Sequence, residues 1–402
     1  MKLSEETKKF ILDHQGEDTH LLAYKYAQKA GGVDIRLALS QIHARKAMAE
    51  KLPYWCANLE VIFPEQISLE QSSSAQTANY KSSLVCGHDM VDLTGGLGVD
   101  CLSLSNNFVS ATYVERQENL CQIAENNFSL LSSKPIRVVN EDAIDFLNSM
   151  SRQVDCIYID PARRSSAGKK VYALSDCEPN LCVIIDKLRE KSKNILVKLS
   201  PMLDISLALE TLSNTSQIHV VSLENECKEL LFLLEEDRQE HKDKGGLEPQ
   251  IFCVDLHKNA PSDIFSFFKS QEKGLQIEYT AHLQKYLYEP NASILKAGAF
   301  KSLASIYGLK KLHVDSHLYT SEKFVCNFPG RKFVIESHSS FNKTDLREHM
   351  RGIAKANLSV RNFPASVDEL RKKLSIKEGG NIYLFATILA DGRKVLISCT
   401  KP

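Results

Sequence analysis

Four carboxylates punctuate the middle of this 402-residue chain, each at the end of a short apolar run: Asp92, Glu115, Asp142 and Asp160. The first leads into Asp92-Leu93-Thr94-Gly95-Gly96-Leu97-Gly98. Glycine permits left-handed backbone and a close approach to a ligand, and the helix start that follows offers free N–H groups. In an open parallel sheet, ligands lie outside the carboxyl ends of the strands. Four acids at successive strand ends therefore describe one site. Glu115, after the second strand, stands where a carboxylate accepts from both hydroxyls of a ribose. Asp142, after the third, suits an adenine amino group. No Lys-Ser/Thr pair follows the glycine turn, and the third glycine of G-x-G-x-x-G is missing. A row of acids also suits a cation better than a polyphosphate. The site reads as a pocket for adenosine joined to a sulfonium, in preference to NAD or ATP.

The elements that must carry these residues alternate regularly over 83–256. Strands are expected at 90–93, 111–114, 136–139, 155–159 and 194–199, with helices at 99–106, 118–131, 143–150, 177–191 and 203–212. Two further strands, 218–223 and 229–235, are close enough in sequence to form a hairpin. Apolar strands separated by amphipathic helices imply a parallel sheet covered on both faces, here with an antiparallel edge. Residues 1–82 read as a helical domain, in which Asp34 caps a helix over 35–51 and Arg36, Arg45, Lys46 and Lys51 form a solvated face. Residues 257–330 read as a small α+β domain, with a helix at 294–307 and extended stretches at 312–319 and 323–328. Residues 331–402 have the order βαβαββ, with a capping box from Ser366 to Glu369 and a hairpin around Asp391-Gly392.

Composition removes several classes. Fifty basic and fifty acidic residues give zero net charge, so there is no global field for nucleic acid and any such binding is local. Eleven cysteines without a C-x-x-C pair suit free thiols in a reducing compartment. With no hydrophobic leader and no apolar run near the ~20 residues of a membrane span, a cytoplasmic protein without membrane contact is expected. His313 and His317 have H-x-x-x-H spacing, but an extended segment holds such residues too far apart, so no metal is expected. Nothing in the sequence specifies an oligomeric state.

These residues carry a resemblance. Residues 85–235 resemble a class I S-adenosylmethionine-dependent methyltransferase: the glycine turn from Asp92 to Gly98 is similar to its first motif, Glu115 to its ribose-binding acid, Asp142-Ala143 to its adenine-contacting pair and Asp160-Pro161 to its fourth motif, at the methyl-transfer site. The whole chain resembles a bacterial methyltransferase family with a C-terminal THUMP-like domain, on Val360-Arg361-Asn362-Phe363-Pro364, Glu369-Leu370-Arg371-Lys372-Lys373-Leu374 and Gly379-Gly380-Asn381-Ile382-Tyr383-Leu384-Phe385. The resemblance implies a Rossmann-like seven-stranded core, with ferredoxin-like (257–330) and THUMP-like (331–402) modules after it. It further implies S-adenosylmethionine as cofactor, bound by Asp92, Thr94, Gly95, Gly96, Gly98, Glu115, Asp142 and Ala143, and structured RNA (tRNA or rRNA) as substrate.

One position departs from a related pattern. Many nucleic-acid amine methyltransferases carry Asp/Asn-Pro-Pro-Tyr/Phe, whereas this chain reads Asp160-Pro161-Ala162-Arg163. The expected catalytic group is Asp160, Pro161 and Arg163. Asp160 would orient the acceptor and take its proton, and Arg163 would stack on a base or clamp a phosphate. Arg164, Lys169 and Lys170 would extend a positive rim, and Lys198 and Ser200 lie at the end of the fifth strand. Cys177 and Cys182 are read as structural. Arg361, Arg371, Lys372, Lys373 and Lys377 make either an RNA face or an ordinary helix surface. An RNA-binding protein with an inactive core, or an enzyme for a non-RNA substrate, are the alternatives.

Overall fold

A computed structural model of the chain describes residues 3–26, 32–64, 72–163, 174–236 and 248–402. It divides into two units, Met1–Gln217 with Glu229–Leu247, and Ile218–Lys228 with Glu248–Pro402.

The first unit opens with α1 (Glu5–His14), α2 (Thr19–Tyr26), α3 (Ile35–Met48), α4 (Pro53–Ala57) and α5 (Ala75–Ser82). Ser4, Asp34 and Ser74 begin three of them, each accepting a backbone N–H from the first turn. Phe10, Ile11, Leu22, Ala38 and Ile42 close a helical core with Ile62. Arg45 corrects the expected solvated face. It is buried, and its guanidinium donates to the carbonyl oxygens of Cys56 (2.9 Å), Asn58 (3.1 Å), Leu59 (3.0 Å) and Val61 (2.6 Å). The segment after α4 is irregular, so its carbonyls lack helix partners, and a five-donor fork satisfies four of them at once. Arg36 and Lys46 are exposed, as expected.

The sheet of this unit follows. Its strands are β1 (Gly87–Asp92), β2 (Phe108–Glu115), β3 (Ile136–Asn140) and β4 (Val154–Ile159), then the short β5 (Ala162–Arg163) and β6 (Cys177–Glu178) apart from it, then β7 (Ser192–Leu199). After β8 (Thr215–Leu223), β9 (Glu226–Glu235) returns antiparallel to β7. The order is β9-β7-β4-β1-β2-β3, parallel except at β9. Register places Met90 beside Ala111 on one side and Cys156 on the other. Ile157, Ile159, Leu196, Val197 and Phe232 are fully enclosed, which explains why the strands read as continuous apolar runs. Helices α6 (Val99–Ser105), α7 (Glu118–Leu131), α8 (Ala143–Ser149), α9 (Leu181–Lys191) and α10 (Ile205–Thr211) separate the strands. The expected helix at 177–191 starts four residues later. Cys177 and Glu178 instead pair with β5, because Pro179 disfavours a helical residue before it and Asn180 caps the helix through Cys182 N–H.

In the second unit, β8 ends at Leu223 and the chain reverses through Glu224 and Asn225, at φ 51° and 64°. That left-handed pair matches strand twist in a two-residue hairpin loop, shorter than the connection between the expected strands 218–223 and 229–235. Next come β10 (Gln250–Leu256) and β11 (Asp263–Phe267), antiparallel, and α11 (Lys269–Gly274). A seven-stranded sheet then forms from β12 (Tyr286–Pro290), β13 (Lys310–Lys311), β14 (Tyr319–Ser321), β15 (Gly330–Ser340), β16 (Asn357–Val360), β17 (Tyr383–Ile388) and β18 (Lys394–Thr400), in the order β13-β14-β12-β15-β18-β17-β16. Its helices are α12 (Ala292–Ala297), α13 (Phe300–Tyr307), α14 (Lys343–His349) and α15 (Val367–Leu374). From β15 onward the expected βαβαββ order is present, with both arms of the Ser366–Glu369 capping box formed.

Three expectations fail here. The helix expected at 294–307 is two helices, because Gly298 turns left-handed at φ 79°. Residues 312–318 are a turn, not a strand, and β14 is confined to Tyr319–Ser321. The buried Lys311 ammonium bends this segment by donating to the carbonyls of His313 and Val314. Nor is 323–328 a strand. The two histidines have separate partners: His313 Nδ1 meets Asn362 Nδ2 at 3.0 Å, and His317 stacks on Phe300 at 3.6 Å.

Candidate functional site

The carboxyl end of β1 delivers Asp92, which is 1% exposed and accepts from Thr94 N–H at 2.9 Å. Burial pushes its carboxyl well above the usual range, the Thr94 N–H opposes this, and Asp100, Asp160 and Glu115 reinforce it. The turn that follows is held by shape. Gly96 and Gly98 adopt φ 54° and 86°. A side-chain carbon on Gly95 would lie 2.2 Å from the Tyr113 ring, and one on Gly98 2.7 Å from Phe128. Tyr113 in turn donates its hydroxyl to Gly96 O at 2.6 Å.

Glu115 ends β2 and faces back to the turn. Gly96 N–H donates to its Oε2 at 3.0 Å and Gln117 N–H to its Oε1 at 2.9 Å. Each oxygen keeps a further lone pair for a ligand. Glu115 pairs in register with Asn140 of β3. Two residues on, Asp142 caps α8 by accepting from Ile144 N–H at 2.8 Å, and Ala143 is that helix's first residue.

The end of β4 joins the same group. Asp160 N–H donates to Thr94 Oγ1 at 2.7 Å, which locks the strand-four terminus to the glycine turn. Pro161 is buried beside it. The backbone of Arg163 lies in β5 opposite Cys177. Arg164, Lys169 and Lys170 lie outside the described residues. Hydrogen bonds thus bring Asp92, Thr94, Gly96, Glu115 and Asp160 together, with Gly95 and Gly98 in the same turn and Asp142 and Ala143 at the start of α8, just after the neighbouring strand β3.

Sequence reasoning missed a buried charge cluster beneath Asp160. Lys81 on α5 is fully buried, and its Nζ reaches both oxygens of Glu229 on β9 (2.8 and 2.7 Å), Ser73 Oγ (3.1 Å) and Asp100 Oδ1 (3.2 Å). Asp100 Oδ2 accepts from Tyr158 (2.7 Å) and Ser73 (2.8 Å). Burial raises the Asp100 carboxyl, but Lys81, Lys198, Tyr158 and Ser73 outweigh it and hold it below its ordinary range. Lys198 Nζ lies 2.5 Å from Asp160 Oδ2 and 3.8 Å from Asp100 Oδ2. The one local signal was chemical: Glu229 opens the apolar run Leu230-Leu231-Phe232, where a charge needs a partner.

Away from this group, Asp255, His257 and Asp263 hold ligand-type atoms within 4.8 Å of one another. His257 faces Asp263 at 3.4 Å, and Asp255 accepts from Asn225 N–H at 2.9 Å. No helix among the described residues is long and apolar enough to cross a membrane.

The chemistry of this donor set fits a nucleoside cation. Two lysines, Lys81 and Lys198, face Asp100, Glu229 and Asp160, with Asp92 and Glu115 adjoining, so a cationic group is favoured at the strand ends. Such a turn, with acids at the ends of the first, second and fourth strands of a parallel sheet that carries an antiparallel strand beside β7, defines a class I methyltransferase fold.

Residues 330–401 match a THUMP domain-like family model, and residues 286–329 a ferredoxin-like domain model. The crystal structure of a candidate methyltransferase from Porphyromonas gingivalis W83 superposes with a TM-score of 0.86, at 33% identity over 100% of both chains. A candidate methyltransferase of Streptococcus mutans in complex with SAH (13% identity, TM-score 0.30, 40% of this chain and 95% of that one) also matches. So does an rRNA methylase of Streptococcus thermophilus (13%, 0.30, 40% and 94%). No curated protein matches. The chain belongs to the family of S-adenosylmethionine methyltransferases that carry a THUMP-like domain.

Proposed function

We propose that the protein transfers a methyl group from S-adenosylmethionine to a nucleotide of structured RNA, tRNA or rRNA. The observation that carries the reading is the bond from Asp160 N–H to Thr94 Oγ1, which joins the cofactor-side turn to the acceptor-side strand end. The cofactor, when bound, supplies a methyl group on a sulfonium. Asp92, Thr94, Gly95, Gly96 and Gly98 hold its amino-acid end. Glu115 accepts from the ribose, and Asp142 with Ala143 meets the adenine. Asp160, with a third of its side chain exposed, accepts a hydrogen bond from the acceptor group. Pro161 stiffens that turn and Arg163 takes a phosphate or a base face. RNA is supported by the THUMP-like match at 330–401, since a second fold beyond the catalytic core suits a large substrate. Eleven free cysteines support the reducing cytoplasm as the location.

Calorimetry with S-adenosylmethionine on the wild type and Asp92→Ala is the direct test, followed by transfer of labelled methyl to unmodified cellular RNA. Micromolar binding lost in the variant, with label entering RNA, upholds the reading. No binding at millimolar cofactor ends it and leaves an RNA-binding protein with an inactive core. Binding with label entering protein or small molecules, and not RNA, moves the substrate class.

A further inference from the structure

Lysines stand near both ends of β7; one faces Asp155 within β4 and the other Asp160, the residue that follows β4. At the amino end, Lys193 Nζ lies 2.7 Å from Asp155 Oδ1 with the lysine side chain 56% exposed. At the carboxyl end, Lys198 Nζ lies 2.5 Å from Asp160 Oδ2 with the lysine side chain 13% exposed. The first is an ordinary solvated pair of small energetic value. The second is enclosed, and a buried cation persists only when well partnered. Burial works to discharge Lys198, but Asp160, Asp100 and Glu229 outweigh it and hold the ammonium charged. Among these, Asp160 is the close partner. Asp100 Oδ2 already accepts from Tyr158 and Ser73 and stands 3.8 Å from the ammonium.

We infer that Lys198 is a positioning residue of this site: it grips Asp160 by one carboxylate oxygen, so that the other meets the acceptor, and Asp100, Ser73 and the Lys81–Glu229 pair keep Lys198 in place. This rests on the methyltransferase reading. An ionised carboxylate only accepts hydrogen bonds. The acceptor is therefore an N–H or O–H group of a nucleotide, an amino, imino or hydroxyl function, and not a C–H carbon.

The test uses the full chain as wild type, Lys198→Met, Lys198→Arg and, as the surface control, Lys193→Met. Calorimetry with S-adenosylmethionine, thermal unfolding, steady-state transfer to RNA and the crystal structure of Lys198→Met are measured together. In Lys198→Met the cofactor affinity and the KM for RNA stay within about threefold, kcat falls by about 100-fold or more, and the Asp160 side chain leaves its rotamer while Asp100, Tyr158 and Ser73 keep theirs. Lys198→Arg recovers at least about tenfold of the loss, and Lys193→Met matches wild type. If Lys198→Met melts without a cooperative transition, Lys198→Gln is read in the same way. An unmoved Asp160, or a kcat within about threefold of wild type, overturns the positioning role alone. Failure of the wild type to bind the cofactor overturns the methyltransferase reading, and this inference with it. Methyl transfer to a ring carbon overturns the acceptor class.

Discussion

Asp160 donates its backbone N–H to the hydroxyl of Thr94 at 2.7 Å, although the two are 66 residues apart in sequence. That bond ties the end of β4 to the turn after β1, so the acid at one strand end cannot move without the glycine loop at the other. Thr94→Val keeps the shape and removes the acceptor. A half-buried N–H left unsatisfied costs about 1–3 kcal/mol. The expected result is a lower melting temperature and weaker cofactor binding, both restored by Thr94→Ser, as read by calorimetry and thermal unfolding.

Gly95→Ala tests whether the turn is shaped by packing. Its new carbon would sit 2.2 Å from the Tyr113 ring, and Tyr113 holds Gly96 O through its hydroxyl. The ring must move and release that bond. Overpacking of this kind costs about 1–3 kcal/mol. Urea unfolding of Gly95→Ala beside Gly95→Ala/Tyr113→Leu measures it, and a double variant no better than the single one would show that the ring is not the obstacle.

Lys81 and Glu229 form a fully enclosed pair. Lys81→Met leaves Glu229 buried without its close cation, while Asp100 keeps Lys198 at 3.8 Å, and breaking a buried pair from one side costs about 3–5 kcal/mol. Lys81→Met/Glu229→Leu removes both charges and recovers most of the loss. A double-mutant cycle by urea denaturation checks this; equal losses for the single and double variants would refute the pairing as a source of stability.

Arg45→Met deprives four carbonyl oxygens of one guanidinium, and the expected destabilisation is about 3 kcal/mol or more. Arg45→Lys recovers only part, because an ammonium has three donors and no fork. Thermal unfolding of the two variants decides the matter.

His219 gives a dependence on pH. It is 3% exposed and stacked on Phe252, and burial drives its pKa from 6.5 down to about 4. The unfolded chain binds the proton first, so this contribution is complete above pH ~6.5 and is lost as pH falls towards 4. The lost stability is about 3 kcal/mol at most. Between pH 7 and 4, wild type should lose more stability than His219→Phe by an amount of this order. Parallel curves for the two would contradict it.

Much of this was open to reading along the chain. The alternation of apolar runs with helix periods specified a parallel sheet, and the residues just after each run specified where a ligand would sit. Gly96, Glu115 and Asp160 were legible from their positions at the strand ends and Thr94 from the resemblance of its turn to a methyltransferase motif, and hydrogen bonds join Gly96 to Glu115 and Thr94 to Asp160. The capping box at Ser366 was equally legible, because a cap and its helix lie within four residues. All of these rest on interactions between neighbours in sequence, or on a sheet geometry common to every chain of that pattern.

What tertiary structure alone decided is which charges meet. Lys81 and Glu229 are 148 residues apart, and Lys198 and Asp160 38 apart. Neither spacing repeats a period. Arg45 read as a surface residue because a helix pattern shows which face is apolar but not that an irregular loop will bring carbonyls over the polar one. The turn at 312–318 was missed for the same reason: it is set by the Lys311 ammonium reaching two carbonyls from a buried position. Local sequence determines periodicity, caps and turns, since these energies are exchanged within a few residues. The pairing of buried charges is a property of the closed fold, where removal from water makes each charge depend on the partner that packing supplies.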